Sequence, residues 1–309
     1  MQEAYVNICG IPTHIMTWGK WIEESLDDVK EIVICITGNP GLPGFYTEFL
    51  GNVHRQLNCE IPIWVIGHLG HDDPPSTSIR EVPPLAGNEA LFDLESQVKH
   101  KLKFIEEYVP ENVKIHLIGH SIGAWMILQL LKNENIKKRL QKGYLLFPTV
   151  ERMVESSNGW VFTNIAVPAY IVLGFFITFF ARLPPIVRIF CLHIYFWLFS
   201  IPNHFIGTGL KYSKPCVVEK VVFLAKDEMA KVRGLDREVV RENVNLLKFY
   251  YGTRDGWVPV KYYDELKRDI PNVDATLDAK NIEHAFVLRS SIQMGAIVAN
   301  WIMENKVNK

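Results

Sequence analysis

No Asn-X-Ser/Thr sequon occurs in the 309 residues, and no positively charged N-terminal stretch leads into an apolar block. A secretory signal peptide and a glycosylated lumenal existence are therefore not expected. Cysteine is scarce, odd in number and scattered: Cys9, Cys35, Cys59, Cys191 and Cys216. That excludes a disulfide framework and implies reduced thiols, with Cys35 and Cys191 in apolar runs, in a cytosolic setting. An excess of one charge is missing too. The 33 basic and 34 acidic residues leave a net charge of −1, without a basic run, a zinc-type Cys/His spacing or an aromatic RNA-binding signature. Nucleic acid is not an expected partner, and no metal or organic cofactor is implied. There is no internal repeat and no low-complexity segment.

What is present is an alternation of elements. "EIVICITG" (31–38) is β-branched and apolar, as a strand covered on both faces should be. "IPIWVIGHLGH" (61–71), "VKIHLIGHS" (113–121) and "GYLLFPTV" (143–150) repeat that pattern. "NEALFDLESQVKHKLKFIEEYV" (88–109) carries apolar residues at helical spacing and stops at Pro110. A helix is predicted at 122–133, a strand and loop at 243–259, a helix at 261–270, a strand and loop at 273–286, and a last helix at 294–303. Strands alternating with helices predict an α/β fold with a mostly parallel, doubly wound sheet. The core is expected from 1–150 and 243–309, because the alternation stops between 151 and 242.

Inside that gap lies "PAYIVLGFFITFFARLPPIVRIFCLHIYFWLFSIP" (168–202), whose only formal charges are Arg182 and Arg188. Two apolar segments, about 165–181 and 186–201, are each at the short limit for crossing a bilayer. Pro184 and Pro185 end the first and start the second, which predicts a hairpin over about 165–201. An arginine costs about 2.5–3.5 kcal/mol at the centre of a bilayer, so a turn buried there is disfavoured. A hairpin entering from one side is expected, with Phe175, Phe176, Phe179, Pro184, Pro185, Phe196 and Trp197 as its anchor. The competing expectation is a very apolar buried insertion, which would need a partner to cover it.

"GHSIG" (119–123) matches Gly-x-Ser-x-Gly between a predicted strand and a predicted helix, as a nucleophile elbow requires. Ser121 is the candidate nucleophile, and a serine hydroxyl needs a base. With the order Ser, acid, His, the one histidine beyond His204 is His284, just before the last helix. Asp264, Asp269, Asp274 and Asp278 are possible acids. Asp255, in the strand-end loop "YYGTRDGWVP", is favoured because such loops are where these sheets build sites. Two backbone N–H groups should face the oxyanion. Ile122 supplies one. The loop "ITGNPGLPGFY" (36–46) supplies the other, and Asn39 is favoured over Pro40, which has no N–H. In "GHLGH", His68 and His71 either line the pocket or sit exposed on a loop.

"CITGNPG", "VIGHLGH", "GHSIG", "YGTRDGWVP" and "NIEHAF" occur in the order and spacing of the α/β-hydrolase superfamily. "GNPGLPGFY" and "GHSIGAW", joined to an apolar insertion, resemble the lipid droplet-associated hydrolase family in particular. Thr37-Gly38 stands where many members of the superfamily carry His-Gly. The resemblance implies Ser121, Asp255 and His284 as a catalytic triad, and residues 151–242 as a cap over the pocket. It implies a serine ester hydrolase of neutral lipids, sterol esters or acylglycerols, in lipid storage and turnover. The expected partner is the lipid droplet monolayer or the cytosolic face of the endoplasmic reticulum. An acyltransferase with the same triad, or a droplet-surface binding or remodelling protein, are the alternatives.

Overall fold

The computed structural model describes residues 1–74 and 81–307. Within them eight strands form one sheet: β1 (Gln2–Ile8), β2 (Ile11–Trp18), β3 (Glu31–Ile36), β4 (Ile63–Ile66), β5 (Lys114–His120), β6 (Leu140–Leu146), β7 (Leu247–Tyr251) and β8 (Asp274–Leu277). Their order is β1-β2-β4-β3-β5-β6-β7-β8. β3 to β8 run parallel, as expected, while β1 and β2 are antiparallel additions at one edge. That β1–β2 hairpin is missed by the sequence reading. Its two-residue turn is Cys9-Gly10, both at positive φ, the geometry that matches the twist of paired strands.

Helices cover both faces. α1 (Thr47–Gln56), also missed by the sequence reading, packs with α12 (Ser291–Val307) on one side. α2 (Leu94–Tyr108), α3 (Ile122–Leu130), α4 (Glu134–Arg139) and α11 (Val260–Asp269) contribute to the other. Strand β3 divides itself by the two-residue period of a pleat. Ile32, Ile34 and Ile36 enter the α2–α3 core, and Val33 and Cys35 enter the α1–α12 core. Each is fully buried, and each stabilises the fold by about 1.5–3 kcal/mol relative to exposure. The expected helix over 88–109 is shorter. It begins at an Asp93 cap whose carboxylate accepts the Ser96 N–H at 2.8 Å.

Between β6 and β7 the described chain is helical, with no strand. It holds α5 (Ser157–Val161), α6 (Val167–Arg182), α7 (Pro185–Leu198), α8 (Ile206–Tyr212), α9 (Pro215–Lys231) and α10 (Arg237–Glu242). A π-helical turn, Phe162–Ala166, joins α5 to α6, so Ser157–Arg182 is one helix of 26 residues. The first apolar segment is thus part of a helix long and apolar enough to cross a membrane, not one at the short limit. Gly159 is there for contact: a Cβ on it would meet the Met153 carbonyl oxygen at 1.8 Å.

The helical insertion is tied back to the sheet by charge. Lys211 bonds Glu3 and the Tyr5 hydroxyl at 3.0 Å and lies 3.5 Å from Asp72, and Lys214 pairs with Asp73 at 2.5 Å. His14 bridges Asp72 at 2.6 Å and Glu3 at 2.9 Å. The β1–β2 edge is therefore the insertion's footing.

Candidate active site

The site starts where β5 turns into α3. Ser121 has φ +54° and ψ −120°, a strained conformation that lifts its side chain out of the strand. The turn can be this tight because of its glycines. A Cβ on Gly123 would lie 2.4 Å from the Ile36 carbonyl oxygen, and one on Gly119 would lie 2.6 Å from that of Gly123. Any side chain there would push α3 off the sheet.

Three loops bring the expected groups together. His284 Nε2 lies 3.0 Å from Ser121 Oγ, and His284 Nδ1 lies 2.6 Å from Asp255 Oδ2. Asp255 is buried, and its other oxygen accepts the N–H groups of Trp257 at 2.7 Å and Val258 at 3.1 Å. Its carboxylate is therefore held from both sides. The other acids lie elsewhere. Asp269 pairs with Arg237 and Asp274 with Lys248, each at 3.0 Å. Asp264 sits on α11. Asp278 accepts the Tyr250 hydroxyl and the N–H groups of Lys280 and Ile282, so it shapes the loop that carries His284.

Ile122 is the first residue of α3, where a backbone N–H has no partner one turn back. Gly38 packs so closely on Ser121 that a Cβ there would sit 2.9 Å from the serine Cβ. Its N–H is taken by the Tyr46 hydroxyl at 2.7 Å. Asn39 follows Gly38 in the wall of the cavity and is joined to Pro40 by a cis peptide bond. Its side-chain amide donates to the Val221 carbonyl and to Glu228 Oε1, both at 3.1 Å, so α9 grips this loop. His68 and His71 are buried, not exposed on a loop, and neither lines the cavity. Burial pushes His71 down to about 3, and its neutral ring bonds the Pro40 carbonyl at 2.8 Å. The pair supports the loop from beneath.

Sequence reasoning missed a second chain of hydrogen bonds. Tyr46 accepts from Gly38 N–H, so its own proton goes to His120 Nδ1 at 2.7 Å. His120 Nε2–H then donates to the His284 carbonyl at 2.8 Å. Burial, with His284 nearby, pushes His120 down to about 3, which keeps this one neutral tautomer. The Gly38 and His284 loops are thus strutted against each other. Thr149, also missed, sets its hydroxyl 3.5 Å from Ser121 Oγ. The signal for His120 was its place in "GHSIG"; Tyr46 and Thr149 carried none.

A cavity of about 970 Å³ rises from Ser121 and His284. Its walls are mostly apolar and come largely from α6, α7 and α9. Leu173, Phe176 and Tyr195 line it and are also exposed, so they form its rim. Around that rim the surface is apolar: Ile171 is 85% exposed, Trp197 79%, Ile186 77% and Phe175 71%. Phe176, Phe179, Pro184 and Pro185 are exposed as well. Phe196 departs from the expected anchor. It is buried, it packs on Gly209 of α8, and it faces the cavity. Helical phase explains this, because neighbours on a helix point about 100° apart, so Trp197 turns outward where Phe196 turns in.

The model of a family described as "Lipid-droplet associated hydrolase" matches residues 29–287. A lipid droplet-associated hydrolase of Drosophila melanogaster is 66% identical over 99% of both chains. The Homo sapiens protein of that name is 31% identical over 99% of this chain and 96% of its own. Among solved structures, a meta-cleavage product hydrolase superposes with a TM-score of 0.61 at 15% identity, covering 97% of each chain. An esterase from Exiguobacterium antarcticum gives 0.61 at 11% identity, covering 98% of this chain and 100% of its own. The fold is that of the α/β-hydrolases, and the chain belongs to the lipid droplet-associated hydrolase family.

Proposed function

We propose that the protein is a serine ester hydrolase that takes neutral lipids directly from the surface of a lipid droplet. One observation carries this reading: the Ser121–His284–Asp255 chain lies at the end of an apolar cavity whose rim is an exposed apolar hairpin. In the reaction Ser121 Oγ attacks the ester carbonyl while His284 takes its proton. Asp255 orients the imidazole and stabilises its charged form. The Asn39 and Ile122 N–H groups receive the developing oxyanion, and His284 returns the proton to the leaving alcohol. Water, with His284 as base, then releases the acid from the acyl-enzyme.

Residues 151–242 act as the cap in this reading, and the hairpin anchors from one side. α7 has 14 residues and is about 21 Å long, too short for a hydrocarbon core of about 30 Å. A chain that cannot cross twice must return to the side it entered from. That suits a droplet, which has no second aqueous side, and equally the cytosolic leaflet of the endoplasmic reticulum.

Purified protein should hydrolyse long-chain esters in emulsion droplets at least tenfold faster than the same esters dispersed below their solubility limit, measured by released acid. Equal rates would remove the droplet from the proposal. The mostly apolar cavity also suits acyl transfer to an alcohol. The same assay with added glycerol or sterol separates the two by product, and transfer exceeding hydrolysis would make the protein an acyltransferase.

The Tyr46 strut gives a second expectation. Tyr46→Phe leaves His120 Nδ1 and the Gly38 N–H without a partner, a loss of about 1–3 kcal/mol. The expected result is a roughly tenfold lower kcat with a smaller change in KM, because the strutted loops hold the reacting groups and supply only part of the cavity wall. Steady-state kinetics on one soluble ester checks it.

A further inference from the structure

Among the described residues, Glu228 is the only formally charged one lining the cavity, and the triad has no use for it. It projects from α9, is 3% exposed, and its one hydrogen-bond partner among the described residues is the Asn39 side chain at Oε1. A buried carboxyl in an apolar wall is costly as an anion. Burial, with the Asp227 charge next to it, pushes Glu228 up to about 8. The other titratable groups facing the cavity are His120, His284, Tyr46, Tyr195 and Tyr212. Asp227 itself is engaged outside, by Lys231 at 2.9 Å and the Leu94 N–H at 2.8 Å. At neutral pH the group is a carboxylic acid. Oε1 already accepts from Asn39, so the proton belongs on Oε2, and no described residue accepts it.

We propose that Glu228 is a hydrogen-bond donor to a second oxygen of the substrate, beyond the reacting ester, and that the site therefore prefers esters of polyols over esters of sterols. This deepens the reading of the cavity as a neutral-lipid ester site and rests on it. An acylglycerol carries further ester or hydroxyl oxygens three or four bonds from the reacting ester oxygen. A sterol ester carries none, and would leave the Glu228 proton unpaired in an apolar wall. A site built to bond a polar group rejects the analogue that lacks it, because its own group is then stranded. Asn39 joins the two functions. The residue whose side chain holds the Glu228 carboxyl is the one whose backbone faces the reacting carbonyl.

The test measures binding, so it does not depend on turnover. In Ser121→Ala protein, displacement of a pyrene-labelled alkyl ester is followed with two competitors matched in chain length. One is a diester of ethylene glycol and the other an alkyl monoester; neither has a hydroxyl. At pH 7 the diester should bind about tenfold tighter, the worth of one good hydrogen bond. Glu228→Met should erase the preference, and Glu228→Gln, which keeps an N–H donor, should retain it. Raising the pH through 8 removes the proton from Glu228, so the preference should vanish in the Glu228 protein and persist in the Gln variant. Thermal melts confirm that each variant is folded. No preference at pH 7, or the same preference in Glu228→Met, overturns the proposal. A diester preference in a protein that hydrolyses nothing would leave this inference standing and remove the hydrolase reading instead.

Discussion

Ser121→Ala should lower kcat for ester hydrolysis by about 10⁵–10⁶-fold, the scale seen when a triad nucleophile is removed. The geometry predicts more than the loss of a hydroxyl. His284 keeps its Asp255 partner at 2.6 Å but loses the proton donor that lies 3.0 Å from its other nitrogen. Among the described residues, Ser121 is the only hydrogen-bond partner of that nitrogen. Asp255→Asn should cost about 10⁴-fold, because the amide stabilises the wrong imidazole tautomer. Combining the two should cost little more than Ser121→Ala alone, since groups that act as a unit are not additive. Single-turnover kinetics and labelling with a fluorophosphonate probe check both. An Asp255→Asn enzyme within tenfold of the parent would mean that another acid serves His284.

The triple replacement Phe175→Glu, Phe179→Glu and Trp197→Glu should release the protein from droplets. Each side chain is exposed to water in the free protein, and each forgoes about 1.5–3 kcal/mol of transfer to hydrocarbon when it is made polar. Three of them together amount to a shift in partition of at least about 10³-fold. The choice of residues matters, because none of the three lines the cavity. Deleting the whole hairpin would also remove Leu173, Phe176, Leu192, Tyr195 and Phe196, which wall the cavity, and so would confuse anchoring with substrate binding. Flotation of droplets with tagged protein gives the readout, and an unchanged melting temperature shows that the fold is intact. A triple variant that still floats would place the contact with lipid elsewhere on the molecule.

The parallel core was readable because β3, β5 and β6 are buried on both faces over most of their length and so are mostly apolar. The β1–β2 hairpin was not, because its turn is Cys9-Gly10 and lacks the Asn-Gly or Asp-Gly pair that advertises such turns. The three grouped site residues were readable because nucleophile, acid and base must stand at strand ends in a set order, and few residues of the right type stand there. His120, Tyr46 and Glu228 could not be read the same way. Their roles depend on distant partners: Tyr46 and His120 are 74 positions apart, His120 and His284 164, and Glu228 and Asn39 189. Glu228 in "AKDEMAK" reads as an ordinary charge on a solvated helix, and only the packing of α9 over Asn39 makes it a buried acid. The hairpin shows the same limit. Its apolar composition was plain, but which side of α7 faces outward depended on Gly209, a neighbour in space.

The 26-residue helix Ser157–Arg182 begins against the loop that carries Asp255 and ends among exposed apolar side chains. At its start, the Asn158 N–H and the Ser157 hydroxyl both bond the Gly256 carbonyl, at 2.9 and 3.0 Å. Gly256 directly follows Asp255. A helix of that length is a rod of about 39 Å, and a displacement of about 3 Å at its outer tip turns the inner end by about 5°. That rotation has two places to go. It can be absorbed in the π turn at Phe162–Ala166, where the regular ladder is already interrupted, or it reaches the peptide next to the acid. With the tip seated in lipid as proposed, lateral pressure would load the loop that carries Asp255, and the π turn would be the joint that sets how much of that load arrives.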